Sequence, residues 1–277
     1  MSVVRWAAPE WHESIGSTNT EALRDPRPGR VVVADHQTAG LGRRGRRWES
    51  PPGRGMAVSA VVPAVAPGAM GWLPLVAGLA LVRALTESRW PVPVALKWPN
   101  DVLAVLRTPS ASQQPVLTTG DGRDWGKVAG ILTQVADPGA GTVVVGAGLN
   151  VDHGPDELPV PTATSWRLAR GGAPVPHGAR EEVLSHYLHH LGSLHARLAD
   201  GGVGAVRAAY LEHCLTVGLP VVVHRPDGGR TEGTAVTVDA DGALVVEGPA
   251  GRTVHHAGDV EHVRPAHRGG GATARDG

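Results

Sequence analysis

Four arginines crowd one glycine-rich stretch, Gly40-Leu41-Gly42-Arg43-Arg44-Gly45-Arg46-Arg47-Trp48. Glycine lets a backbone approach a ligand closely and turn its N–H groups inward. Guanidinium groups are permanent, delocalised cations whose donors match phosphate oxygens. Trp48 adds a flat face for a base. No Gly-Lys-Ser/Thr follows, so this is not a Walker A loop. In isolation, a solvated basic loop or a nucleic-acid patch would look the same.

Three further segments carry polar chemistry at places where a strand would bury apolar groups. In Leu96-Lys97-Trp98-Pro99-Asn100-Asp101, Pro99 inside a strand-like run implies an edge or a bulge. Asn100 and Asp101 then project polar groups, although Pro-Asn-Asp is also ordinary turn chemistry. In Lys127-Val128-Ala129-Gly130-Ile131-Leu132, alternation places Lys127, Ala129 and Ile131 on one face. Lys127 therefore either ends a strand facing solvent or points into a site. In Val145-Gly146-Ala147-Gly148-Leu149-Asn150-Val151, the glycines weaken a strand unless something comes close. A ligand along the backbone, a bulge and close strand packing all fit.

The elements that must position these groups read as follows. Thr18 with Glu21 fits a capping box, so a short helix starts there and ends before Pro26, Pro28 and Gly29. Strands are expected at 31–37, 56–62, 94–103, 127–135 and 142–151. Residues 72–89 form a helix that is apolar nearly all round and so lies against a sheet. The polar stretch 107–124 reads as a mobile insertion at a hairpin tip that buries little. Residues 179–199 form an amphipathic helix, and a second helix follows at about 203–214. From Leu215 the style changes to short strands at 219–224, 231–238, 243–247 and 252–256, with Asp-Gly turns between them. These suggest a small SH3-like barrel. The expected organisation is a domain over 1–214, a second over 215–265 and a disordered tail over 266–277, with no internal repeat.

Bulk properties narrow the function. Lys+Arg and Asp+Glu both number 26, so there is no basic excess to favour DNA as a partner. The single Cys214 excludes an internal disulfide and a cysteine-rich zinc site. His186 and His190 are four apart and His255 and His256 are adjacent, but no His-Glu-x-x-His motif occurs. No secretory leader and no run of about 18 apolar residues is evident, so a cytoplasmic protein without a membrane partner is expected.

Each segment is weak by itself; their order and spacing are specific. Ser17-Thr18-Asn19, Gly40 to Trp48, Lys97 to Asp101, Lys127 to Leu132 and Gly146 to Asn150 together resemble the biotin–protein ligase family. The resemblance spans about residues 12–265. It implies an α+β fold: a mixed, mainly antiparallel sheet with helices, class II synthetase-like, plus the C-terminal barrel. It also implies a monofunctional member, since only sixteen residues precede Ser17, too few for a winged-helix DNA-binding domain. Two departures stand out. Leu41 occupies a position where the family often has Arg, and Gln134 one where Glu is frequent.

The resemblance further implies the chemistry. Biotin is activated by ATP, with Mg²⁺, to biotinyl-5′-AMP and passed to a lysine of a biotin carboxyl carrier domain of an acyl-CoA carboxylase. Ser17, Thr18, Asn19 and Gln37 would bind biotin, with Gly40, Leu41, Gly42, Arg43, Lys127 and Gly130 around its chain. Arg43, Arg46, Trp48, Asn100, Lys127 and Asn150 would hold ATP and the adenylate. Lys127, Arg43 and Asp101 would be catalytic, with Asp101 touching Mg²⁺ or assisting the carrier amine. Two other readings compete. A lipoate–protein ligase shares the fold but lacks the Lys-Trp-Pro-Asn-Asp strand and the arginine loop. A non-catalytic biotin sensor or nucleic-acid module would show no biotin-dependent pyrophosphate exchange.

Overall fold

The computed structural model describes residues 3–107, 113–137, 141–225, 227–256 and 258–262. The expected tail over 266–277, residues 263–265 of the second domain and residues 108–112 of the insertion lie outside them. In chain order the first region runs β1 (Glu10–Ile15), α1 (Thr18–Arg24), β2 (Val31–Gln37), β3 (Gly55–Pro63), α2 (Leu73–Glu87), β4 (Val94–Lys97), β5 (Asp101–Val105), β6 (Leu117–Thr118), β7 (Asp124–Asp137) and β8 (Thr142–Asn150). Then come α3 (Trp166–Ala169), α4 (Ala179–Ala199) and α5 (Val203–Leu211). The last region holds β9 (Pro220–His224), β10 (Arg230–Val238), β11 (Leu244–Gly248), β12 (Gly251–His255) and β13 (Asp259–His262).

The large sheet has the order β1-β2-β3-β8-β7-β5-β4, with β6 added to β7. Only β1–β2 is parallel among these pairs. Alternation along β8 divides its labour. Val143, Val145, Ala147 and Leu149 join the core with α2 and α4, while Val144 lies in a small cluster with Ala22 of α1. Gly146 and Gly148 share the parity of Val144, so the glycines open the sheet on the α1 side.

Helix α2 is buried on nearly all sides, as a core helix must be. The segment Pro67–Glu87 is nevertheless long and apolar enough to cross a membrane, with mean hydropathy 1.6. Arg83 interrupts it, so it is not an unbroken apolar run, and 72% of that window is buried inside the protein.

Two local expectations change. Residues 94–103 are not one strand but the hairpin β4–β5, because Trp98-Pro99-Asn100 turns the chain and pairs Lys97 directly with Asp101. The Trp98–Pro99 peptide is cis. Lys127, Ala129 and Ile131 do not share a face. A bulge sets Leu103 opposite Lys127 and Val102 opposite Ala129, so Val128 is the extra residue. Ala129 and Ile131 enter the core, and Lys127 lies over Gly130. Residues 113–124 bury little, as expected: Leu117 is the buried residue among them, packing with Trp125, Ala95 and Leu103 on the outer face of the β4–β5 hairpin.

The C-terminal strands form an antiparallel sheet ordered β12-β11-β10-β9-β13. Strands β1 and β13 had no counterpart in the sequence reading, and α5 stops at Leu211 rather than Cys214. Two core indoles tie the sheets together. Trp72 Nε1 donates to Ala240 O (2.8 Å) and Trp98 Nε1 to Gly242 O (3.0 Å). A methyl on Gly71 would collide with the Asp241 carbonyl, so the two regions touch backbone to backbone there.

Candidate active site

A cavity of about 990 Å³ opens on the α1 side of the large sheet. It collects Ser17, Thr18, Asn19, Gln37, Leu41, Gly42, Arg43, Arg46, Trp48, Asn100, Asp101, Lys127, Gly130 and Asn150. Of the residues assigned to biotin, the nucleotide or catalysis, Gly40 alone does not line it. A side chain there would strike the Trp48 carbonyl and Gln37, so its smallness serves the protein's own chain.

One end is a hydrogen-bonded polar pocket. Ser17 caps α1 and accepts from Thr20 N–H, taking the role expected of Thr18. The Thr18 N–H donates to Gln37 Oε1 at 2.8 Å. The Ser59 hydroxyl lies 2.8 Å from Thr18 Oγ1 and 2.6 Å from Asn19 Oδ1. Asn19 Nδ2 donates to Gln134 Oε1 at 2.7 Å, so the unusual Gln134 supplies an acceptor as a carboxylate would. Asn19 also occupies the space that a Gly146 side chain would need.

The other end is cationic. Asp101, partly buried, lies between Lys127 Nζ at 2.6 Å and Lys97 Nζ at 3.6 Å. Burial pushes its carboxyl up, but the two ammonium groups outweigh this and hold it below the usual carboxylate range. Arg43 Nη1 donates to Asn100 Oδ1 at 2.9 Å, and Asn100 Nδ2 to Ile131 O at 3.0 Å. Burial lowers the Arg43 guanidinium, opposed by Asp259 and Asp101, and it stays charged regardless. Asn150 is buried, donates to Thr164 O at 3.0 Å, and keeps Oδ1 without a partner among the described residues.

Trp48 lies in the middle. Its ring covers Gly148 and Gly130, and Lys127 Nζ sits 5.5 Å from the ring centroid. Close approach at these glycines is thus by an indole of the same chain. The arginine loop is tied across to the C-terminal sheet. Arg44 Nη1 and Arg46 Nη2 reach Asp259 Oδ2 at 3.1 and 2.8 Å, and Arg44 Nη2 donates to His224 O.

Several lining residues were not foreseen. Lys97 sat inside a quoted motif, and its pairing with Asp101 was the missed signal. Asp259, Glu261 and His262 come from β13, which gives no local sign of its neighbours. Burial, with Lys97 nearby, lowers the His262 imidazole to about 4. Among the described residues no group of three His, Cys, Asp or Glu side chains could hold a metal ion.

Residues 11–151 match the model of the biotin/lipoate A/B protein ligase family, and residues 216–263 that of the biotin protein ligase C terminal domain. The chain is 35% identical over 260 residues to a biotin–[acetyl-CoA-carboxylase] ligase of Mycobacterium tuberculosis, covering 90% of this chain and 86% of that one. It is 35% identical over 255 residues to a biotin–[acetyl-CoA-carboxylase] ligase of Paracoccus denitrificans, covering 88% and 96%. Its fold resembles the structure of biotin protein ligase from Aquifex aeolicus in complex with biotin and ATP, with a TM-score of 0.67 and 24% identity, over 93% of this chain and 99% of that one.

Proposed function

We propose that this chain, which belongs to the biotin/lipoate A/B protein ligase family, activates biotin with ATP as biotinyl-5′-AMP and transfers it to a lysine of a biotin carboxyl carrier domain. One observation carries the reading: Arg43, Arg46 and Lys127 converge on the cavity whose opposite end is the polar pocket of Ser17, Thr18 and Gln37. The match at residues 216–263 and the names of the relatives favour biotin over lipoate and an acyl-CoA carboxylase as the carrier's parent.

Biotin's ureido ring is polar and uncharged, so burying it requires partners. Ser17, Thr18, Asn19 and Gln37 are suited to that end. Leu41, Gly42 and Gly130 enclose the aliphatic chain, and Lys127 meets the carboxylate. A carboxylate oxygen then attacks the α-phosphorus of ATP; the new C–O–P linkage forms as the bond to pyrophosphate breaks. This brings two anions together, so neutralising charge is the main demand on the protein. Lys127, Arg43 and Arg46 meet it. Asn150 Oδ1 and the Trp48 ring suit the adenine.

In the second step the carrier amine attacks the acyl carbon, an amide forms, and AMP leaves. Asp101 already accepts from Lys127 and pairs electrostatically with Lys97, so its role here is to hold the two lysines in place. Among the described residues no three His, Cys, Asp or Glu side chains cluster to hold a metal ion by themselves, so Mg²⁺ would enter bound to the phosphates of ATP. We place the reaction in the cytoplasm, where ATP and the carrier meet; the balanced net charge gives no support to DNA as a partner.

Incubation with biotin, Mg·ATP and a carrier domain, followed by weighing the carrier, tests this. One added biotinyl group is expected. An unchanged carrier together with no biotin-dependent pyrophosphate exchange overturns it.

A further inference from the structure

The stretch 113–118 belongs to none of the motifs that define the site, yet it borders the cavity. Pro115 and Val116 line it beside Val160 and Ala163. Gln113 Nε2 donates to Ala163 O at 3.0 Å, and the Gln114 N–H donates to Pro161 O at 2.9 Å. The same turn is held from its other side by β7. There the Lys127 N–H donates to Thr162 O at 2.8 Å, and the Thr164 N–H donates to Lys127 O at 2.8 Å. The stretch is itself anchored, because Val116 N–H donates to Trp125 O at 2.7 Å and Leu117 is buried against Trp125. Residues 161–164 therefore hang between two supports, one of which also carries the ammonium group of Lys127.

We propose that residues 113–117 are a strap that fixes 161–164 beside Lys127 before any substrate arrives, with Gln113 as the positioning residue. The proposal rests on the ligase reading above, and it deepens it by assigning the strap to the nucleotide end of the cavity. The physical reason is entropic. A segment that orders only when ligand binds loses its backbone entropy at that moment, at the expense of affinity. A segment ordered by the fold has met that cost already, so the ligand binds more tightly. The biotin end is built from α1, β2 and β3, whereas the hydrogen bonds of the strap run to Ala163, Pro161 and Trp125. Losing the strap should therefore weaken ATP and leave biotin alone.

Gln113→Glu keeps the size of the side chain and removes the donor to Ala163 O. A single such bond is worth about 1 kcal/mol, roughly a five-fold change in affinity. Amide exchange in the ligand-free, full-length protein reads the strap without needing activity. The Gln114, Lys127, Ala163 and Thr164 amides should exchange slowly in the wild type. In Gln113→Glu, the Gln114 and Ala163 amides should exchange about five-fold faster. The KM for ATP should rise by a similar factor while the KM for biotin holds within two-fold. Unprotected exchange of these amides in the wild type overturns the proposal. So does a Gln113→Glu protein with wild-type exchange and wild-type KM for ATP, or one whose two KM values rise together. If the protein made no adenylate at all, the ligase reading would fall while the exchange result would still report on the strap.

Discussion

Asp101 owes its properties to the two ammonium groups it sits between. A carboxylate so placed is a poor proton acceptor and a good anchor. Lys127→Ala removes the nearer partner and, with it, the cation at the carboxylate end of the cavity. We expect biotin-dependent adenylate formation to be abolished in a refolded, monodisperse variant, with stability reduced by about 1–3 kcal/mol because both groups are partly solvated. Pyrophosphate exchange at wild-type rate would refute the role. Gly148 makes a second test. A methyl there would run into the Trp48 ring, and overpacking of this kind costs about 1–3 kcal/mol. Gly148→Ala should weaken ATP binding roughly five- to a hundred-fold. An unchanged ATP titration would mean that the indole moves aside freely.

At the scale of elements, the arginine loop is closed by its own backbone bonds, from Gly42 N–H to Arg46 O and from Trp48 N–H to Gly40 O, and is tied to the C-terminal sheet through its side chains. Asp259 takes two of its arginines. These groups are a third or more exposed, so Asp259→Asn should cost under about 1 kcal/mol in a urea titration. The same variant should release activated biotin faster, measured as labelling of bystander lysines, because Arg44 and Arg46 lose their common partner. No rise in such labelling would show that the loop closes without it. Motif order made the cavity legible: Ser17, Arg43, Asn100, Lys127 and Asn150 lie far apart in sequence and meet here. The means of meeting was less legible. Alternation alone puts Lys127 with Ala129, and only the bulge at Val128, a matter of pairing with β5, turns it toward Gly130. Strand β1 reads Glu-Trp-His-Glu-Ser-Ile, mostly exposed at the sheet edge, so it lacks the apolar run that marked β2. The contribution of β13 was invisible because it depends on how one sheet docks on another.

Across the whole molecule, buried imidazoles set an acid limit. Burial lowers both His153 and His262 to about 4. In the unfolded chain an ordinary imidazole takes up its proton near pH 6.5. Between those values the unfolded state binds more protons, so stability falls as pH drops from about 6.5 to about 4 and is flat above. A urea midpoint followed over that range should show the slope, and His153→Gln should reduce it. A pH-independent midpoint would rule out the buried neutral imidazoles as its cause. The indoles of Trp72 and Trp98, each reaching a carbonyl of the β10–β11 turn, have a consequence for anyone who would trim the protein. Cutting the chain after Leu215 would not liberate a smaller working module. It would strand two N–H groups in apolar surroundings and bare the wall they brace, and the expected product is an aggregate. The later strands, though compact enough to look like an accessory, are a structural keystone of the piece that precedes them.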